Sequence, residues 1–178
     1  LVFRAIIPPN ITPFFIDTYL FCLHKDDNDP SKLRPISIPS ALRRIIGNHI
    51  STRYNHLFAH HLFPYNYAVS IANGMDFVIK SIQLGVEKYI ITLQANNQLP
   101  SRALVSLDLV NMFNNISREK LLEIIATNFP DLLPLATMLY GDAGSVHFKW
   151  EDGTWMLLPM KEKVNQGCPL SSIFAALV

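Results

Sequence analysis

Three short stretches hold residue types out of keeping with their surroundings. Asp108 stands in Ser106-Leu107-Asp108-Leu109, an otherwise apolar run. A buried carboxylate is expensive unless it is paired, protonated or bound to a metal. Two roles stand open for Asp108: the cap of a strand end, or a carboxylate held rigidly to ligate a divalent cation. Hard cations such as Mg²⁺ take oxygen ligands, often one or two carboxylates together with substrate phosphates. Phe113 follows five residues later, in LVNMFNN. It is either a core aromatic or one wall of a nucleotide pocket, and spacing alone does not choose. The third stretch, Asn165 to Ser171, reads NQGCPLS. Gly167 lets the backbone approach a ligand closely. Gln166 offers an amide just before a helix start, a place suited to anionic groups. Pro169 occupies a favoured position at the start of a helix. The plain alternative is a loop leading into that helix.

Elements must position these residues, and the pattern of the chain predicts them. Leu1 to Thr18 carries Pro8, Pro9 and Pro13 and reads as an irregular lead-in. Asp17 to His24 is rich in β-branched and aromatic residues, which predicts a strand. Lys25 to Lys32 is a polar turn, and Arg34 to Pro39 returns as a second strand. Pro35 and Pro39 favour an edge position. Ser40 caps a long helix to about Leu62, with Leu42, Ile45, Ile46, Ile50, Leu57 and Phe58 on its apolar side. Asn73 or Asp76 opens the most regular helix. Its stripe of Met75, Val78, Ile79, Ile82, Val86, Tyr89, Ile90 and Leu93 predicts a buried face. Ala103 to Leu109 leaves few polar positions and predicts a buried strand. Ser117 caps a helix from Arg118 to Asn128, and a short helix follows within Asp131 to Tyr140. Ser145 to Trp150 and Thr154 to Met160 flank Asp152-Gly153, a strong hairpin signal. A helix restarts at Ser171. The sum is an α+β fold, with helices packed on antiparallel strands.

Composition narrows the classes. The chain has 178 residues, of which 49% are apolar. That supports a folded core and argues against disorder. Charged residues make up 16%, below the usual ~25%. The surface is therefore sparsely charged, or part of it is covered by something else. A net charge of +1 neither requires nor excludes a nucleic-acid partner. The cysteines, Cys22 and Cys168, form no metal spacing or disulfide framework, which suits a reducing compartment. No apolar run approaches the ~18 residues of a membrane span. There is no signal-peptide pattern at Leu1. The apolar run Ile173 to Val178 stops without a cap. The expectation is an intracellular, non-membrane piece of a longer protein.

Taken in order, LRPISIP, LVSLDLVNMFNNIS and VNQGCPLSSIFAAL resemble the reverse transcriptase family, in its non-LTR retrotransposon and group II intron branch. The resemblance runs from about Phe21 to Val178. QG-x-PLS before an apolar helix is its most specific part, the Asp108 to Phe113 pattern is moderately specific, and RPI alone is weak. The resemblance implies a right-hand polymerase, with a fingers-like region and leading segment over 1–102 and a partial palm over 103–178. It implies that Asp108 binds both catalytic Mg²⁺ ions, with the Leu109 carbonyl assisting and Mn²⁺ as a substitute. Phe113 becomes the steric gate that excludes a ribose 2′-OH. Gln166 and Gly167 shape the nucleotide pocket near the 3′-OH. Arg34 lies over the incoming triphosphate, with Lys25 as a second phosphate contact. Arg43, Arg44 and Pro169 contact template or primer. Implied partners are an RNA template, a DNA or RNA primer and deoxynucleoside triphosphates. Two metals roughly 3.5–4 Å apart activate the primer hydroxyl and stabilise the leaving pyrophosphate in such enzymes. Phosphoryl transfer otherwise needs positioning and charge stabilisation.

The sequence departs from this family in one decisive respect. The family's aromatic-x-Asp-Asp hairpin, downstream of QG-x-PLS, is not in these residues. Asp26-Asp27 lies in a polar turn before RPI, in the wrong order to replace it. A lone Asp108 does not hold two metals, so the expectation is a catalytically incomplete fragment of a polymerase. Asn114 and Cys168 stand where the family often has Asp. Two other functions compete: a non-catalytic nucleic-acid-binding remnant of a retroelement, and a palm polymerase that makes RNA. Phe113 argues against the latter. His56 and His60 are four apart but lack the Glu of an HExxH zinc motif. Arg43, Arg44, His49 and Arg53 make one helix basic, which reads as a solvated face or a template contact. Asn10-Ile-Thr12 and Asn115-Ile-Ser117 match glycosylation sequons without a signal peptide beside them. Trp150 and Trp155 read as a cross-strand pair.

Overall fold

The structure is a computed structural model that describes residues 4–24, 29, 32–97, 99–109, 112–142, 144–160 and 163–178. Its chain forms two compact units, one of Leu1–Asn55 with Asn111–Val178 and one of His56–Val110. These units cut across the 1–102 and 103–178 division. The LRPISIP strand and the NQGCPLS loop share the first unit.

The first unit is an α+β arrangement around one four-stranded sheet. Its strands are β1 (Thr18–His24), β2 (Leu33–Pro39), β3 (Gly144–Lys149) and β4 (Trp155–Met160), in the order β2-β1-β3-β4. Both expected hairpins form. Thr18 pairs with Pro39 and His24 with Leu33, and Gly144 pairs with Met160. Pro35 and Pro39 fall on an edge strand, where a missing N–H is tolerated. The sheet is mixed rather than wholly antiparallel, because β1 and β3 join in parallel through Thr18 and Val146. The two strands belong to different hairpins separated by helices, and such a long connection permits parallel pairing. Asp17 braces the junction. Its carboxylate accepts the Ser145 N–H at 3.1 Å and meets His147 Nε2 at 3.2 Å.

Helices α1 (Pro13–Ile16), α2 (Ala41–Arg53), α5 (Arg118–Asn128), α6 (Leu133–Tyr140) and α7 (Ser171–Leu177) complete this unit. Ser40 caps α2 by accepting the Arg43 N–H, and Ser117 caps α5 by accepting the Lys120 N–H, as the sequence predicts. A single 3₁₀ turn at Pro130–Leu132 leads into α6. α5 packs on α6 and α7. Leu121, Ile125, Leu132, Leu135, Leu170 and Phe174 form the sealed centre.

The expected helix from Ser40 to Leu62 is broken at Tyr54, and α3 (Asn55–Leu62) follows. Its buried side also differs from the apolar stripe. Arg43, Gly47 and Ile50 are buried on α2, and Leu42 and Ile45 are exposed. Arg43 explains the rotation. Its guanidinium donates to the carbonyls of Phe15 at 3.1 Å and Ile16 at 3.0 Å, and to the Tyr140 hydroxyl at 3.1 Å. Those acceptors hold the Arg43 side chain inward, where an unpaired charge is not tolerated.

The second unit holds the rest of α3, then α4 (Gly74–Ala95) and the segment 101–109. α4 opens after Asn73, which is left-handed at φ 55°. A side chain at Gly74 would collide with the carbonyl of Tyr67, so only glycine fits the approach. The helix forms where the pattern predicts, but the buried face does not. Among its residues only Gly74 is buried, and Met75, Ile79, Ile82, Val86 and Ile90 are exposed. Tyr89 anchors the segment that follows. Its hydroxyl accepts the N–H groups of Ser101 at 2.7 Å and Arg102 at 3.1 Å. A hydrogen bond between the Tyr89 and Ser101 hydroxyls at 3.2 Å, together with these backbone bonds, holds the Tyr89 phenol below its ordinary pKa.

Candidate functional site

The three stretches singled out by the sequence are held in place differently. Phe113 lies in a 3₁₀ turn, Met112–Asn114, just before α5. Its carbonyl accepts the Val164 N–H at 3.1 Å, which ties this turn to the NQGCPLS loop. The loop is fastened on its other side as well. Ser37 on β2 donates its N–H to the carbonyl of Gln166 at 2.8 Å. Within the loop, the Cys168 N–H reaches the Asn165 carbonyl, and the Ser171 hydroxyl donates to that same oxygen. Gly167 sits at φ 122°, a conformation L side chains avoid. Any β-carbon there would run into the carbonyl oxygen of Ser37. α2 lies against the loop at Gly47, where a β-carbon would make an ordinary packing contact of 3.4 Å with the Pro169 ring.

This fastening creates an open groove of about 400 Å³. Arg44, Phe113, Gln166, Gly167 and Pro169 line it together. Five expected site residues from three separate segments thus meet on one surface. Asn48 and Ser172 also line the groove, and the sequence reading missed both. Asn48 was legible as the position one helical turn beyond Arg44. Among the described residues that line the groove, none is acidic. An aromatic ring, amide and hydroxyl groups and one guanidinium can together receive a base, a sugar and a phosphate. Gln166 also borders a second cavity of about 290 Å³ beneath the sheet, lined by Leu20, Ser37, Val146 and Leu158 among others.

Other expected site residues lie elsewhere. Arg34 is exposed on β2, opposite Leu23, and does not line the groove. Lys25 and the Asp26-Asp27 pair lie outside the described residues. Arg43, expected as a surface contact to template, is 2% exposed and committed to α1 and Tyr140. Burial acts against its charge, but Tyr140 and Cys168 beside it lift its pKa above the ordinary arginine value. The Tyr140 ring lies between two guanidiniums, with Arg43 at 5.4 Å and Arg118 at 5.5 Å from its centroid. Burial, reinforced by Cys168, pushes its phenol up to about 12 against the pull of Arg43. This is a structural cluster under the groove floor.

Asp108 and Leu109 belong to the second unit. The expected buried strand Ala103 to Leu109 is not present; residues 101–109 have no regular structure, and Leu107 is 87% exposed. The sheet of the first unit does not include this segment. A strand needs a ladder to satisfy its backbone, and none is formed here among the described residues. Asp108 is exposed as well, so it carries no burial penalty that a metal must relieve. Among the described residues no group of three or more His, Cys, Asp or Glu side chains could hold a metal ion. The residues present therefore do not fit a two-metal centre by themselves. His56 and His60 are exposed on α3. Trp155 stands opposite Lys149, not Trp150, so the expected tryptophan pair does not form. Trp150 packs on Phe148 at 5.0 Å, and Trp155 packs edge-on to Tyr19 at 5.7 Å. Among the described residues no helix is long and apolar enough to cross a membrane. The chain matches no protein-family model and no curated protein.

Proposed function

We propose that the chain is the fingers and part of the palm of an RNA-directed DNA polymerase, catalytically incomplete as it stands. The observation that carries this reading is the shared groove of Phe113, Gln166, Gly167, Pro169 and Arg44. Phe113 and the Gln166 to Pro169 loop come from two of the three segments that resemble a reverse transcriptase, and Arg44 joins them from the helix that follows the first. Phe113 presents a ring against the sugar, and Gln166 and Gly167 border the base and 3′ side. Arg44 neutralises a backbone phosphate, and Arg34 on β2 offers a fork for the triphosphate of a deoxynucleotide. Asp108 supplies one carboxylate toward Mg²⁺, or Mn²⁺ in its place. Further carboxylates must complete that centre, so no chemical step is assigned to this chain alone.

The test is primer extension on an RNA template by the longest reading frame that contains the chain. Extension is expected, with Asp108→Ala abolishing it and Phe113→Ala raising ribonucleotide incorporation. Extension that survives Asp108→Ala would remove the metal role, and unchanged sugar selectivity in Phe113→Ala would remove the gate. The absence of a metal-ligand cluster among the described residues favours a second reading, a nucleic-acid-binding remnant. That reading expects template binding without extension from the same protein.

A further inference from the structure

We propose that the cavity of about 290 Å³ beneath the sheet binds a small neutral carboxamide with an apolar body. Strand register builds one wall. Leu20 stands opposite Ser37, and Val146 opposite Leu158, so every strand of the sheet contributes a side chain to the same space. Three of these four are apolar. The other wall is the turn at Asn114 and the run Lys163 to Gln166. The Ser37 N–H joins the two walls through the Gln166 carbonyl at 2.8 Å. The Val164 N–H ties the second wall to the Phe113 carbonyl at 3.1 Å. The short Ser37 side chain leaves the gap between the walls open. At ~30 Å³ for each water-sized volume, that gap of about 290 Å³ holds a ligand of about ten heavy atoms.

The polar groups of the second wall select the head of that ligand. Asn165 is 3% exposed. Its backbone carbonyl is already taken by the Cys168 N–H and the Ser171 hydroxyl. Its side-chain oxygen, Oδ1, is buried and has no hydrogen-bond partner. Such an acceptor keeps its full desolvation cost until a donor reaches it. A ligand N–H supplies that donor. Lys163 is the one charged side chain among the described residues that line the cavity, and it is exposed. Its carbonyl accepts Arg118 Nε at 2.9 Å, which fixes the residue where the cavity ends. An ammonium there favours a carbonyl oxygen on the ligand and repels a second cation. N–H and C=O side by side are what a carboxamide offers, and the amides of Asn114 and Gln166 complement the same group. Apolar walls take the rest of the molecule, the usual division in small-ligand pockets. Among the described residues the cavity shares only Gln166 with the groove, so this site does not depend on polymerase activity.

The test follows backbone amide shifts of the 178-residue chain by NMR. The chain is titrated with phenylacetamide, which joins a benzyl body to a primary amide, and with methyl phenylacetate, phenylacetate and phenethylamine. Saturable shifts are expected with phenylacetamide, at a Kd of about a millimolar or below, the reach of a ligand of this size. They should centre on the amides of Ser37, Val164 and Gln166. The ester lacks the N–H and should bind about 5-fold or more weakly. The amine, a cation, should bind weakest. Asn165→Ala should erase the preference for amide over ester, a readout that a merely structural asparagine would not move. Leu158→Trp fills the cavity from an exposed position and should block binding, with circular dichroism as the fold check. It decides the location even where Asn165→Ala does not fold. No saturable shift with phenylacetamide would mean that water alone occupies the cavity, and would overturn the proposal. Equal binding of the ester, or tighter binding of the acid or the amine, would overturn the choice of head group. Shifts centred on Phe113, Gly167 and Ser172 would place the molecule in the groove instead, and binding retained in Leu158→Trp would remove the site. Failure of primer extension alone would leave this result unaffected.

Discussion

Arg43 ties α2 to α1 and α6 in the first unit. Its three hydrogen bonds reach two backbone carbonyls of α1 and a phenol of α6. Arg43→Ala strands those acceptors in a buried site, each at a cost of ~1–3 kcal/mol. The expected loss in urea unfolding is about 3 kcal/mol or more, and Arg43→Lys should recover little because an ammonium lacks the planar fork. A loss below about 1 kcal/mol would mean that water replaces these bonds. Tyr140 gives a second prediction through pH. Its phenol has an ordinary value of 10.0 and is pushed up to about 12 in the fold, chiefly by burial. The unfolded chain therefore gives up this proton before the folded one does. The contribution is fully present below pH 10 and is lost as pH rises through 12, with a slope near 1.4 kcal/mol per pH unit between them. Tyr140→Phe should flatten that slope in unfolding titrations, and an unchanged slope would deny the burial. Neither role was legible in the sequence. An arginine on a helix reads as surface, and its acceptors lie 27 to 97 residues away.

Elements were more legible than the faces they bury. Both hairpins, the Ser40 and Ser117 caps and the position of α4 follow from local chemistry: turn residues, capping oxygens and helical spacing. Burial depends on what stands opposite, which local pattern does not encode. That is why the α2 stripe rotates toward Arg43 and the Ala103–Leu109 run forms no strand. The NQGCPLS loop was legible for a different reason. A glycine before a proline and a helix start restricts the backbone strongly enough to mark a built turn. Gly167 is the point to test. An alanine there combines a left-handed strain of ~1–2 kcal/mol with a clash against Ser37. Gly167→Ala should lower the stability of the first unit by more than about 2 kcal/mol. It should also detach Gln166 from β2, visible as loss of exchange protection at the Ser37 amide. Retained protection at Ser37 would show that the loop shifts without releasing the strand.

At the scale of the molecule, the two units differ in what holds each together. The first seals Ile50, Leu121, Ile125, Tyr140 and Phe174 away from solvent, and the candidate groove lies on that rigid base. In the second, α4 buries only Gly74, and the run carrying Asp108 has no regular structure. A long helix without a packed face is marginal, because most helix stability in proteins comes from tertiary burial. Native-state hydrogen exchange should therefore separate them. Amides of α5 should open only with global unfolding of the first unit, whereas those of α4 should exchange at least about a hundredfold faster through local opening. Equal protection of α4 and α5 would mean that the apolar stripe of α4 is covered in solution. Such a result would bear on function as well. Asp108 lies in the same unit as that stripe, and a carboxylate meant to hold a cation must stand on a rigid element. Covering the stripe is then the step that would make Asp108 useful, and added nucleic acid or added downstream chain can each be tried for it. Protection of α4 that rises with one of them identifies which component completes the second unit.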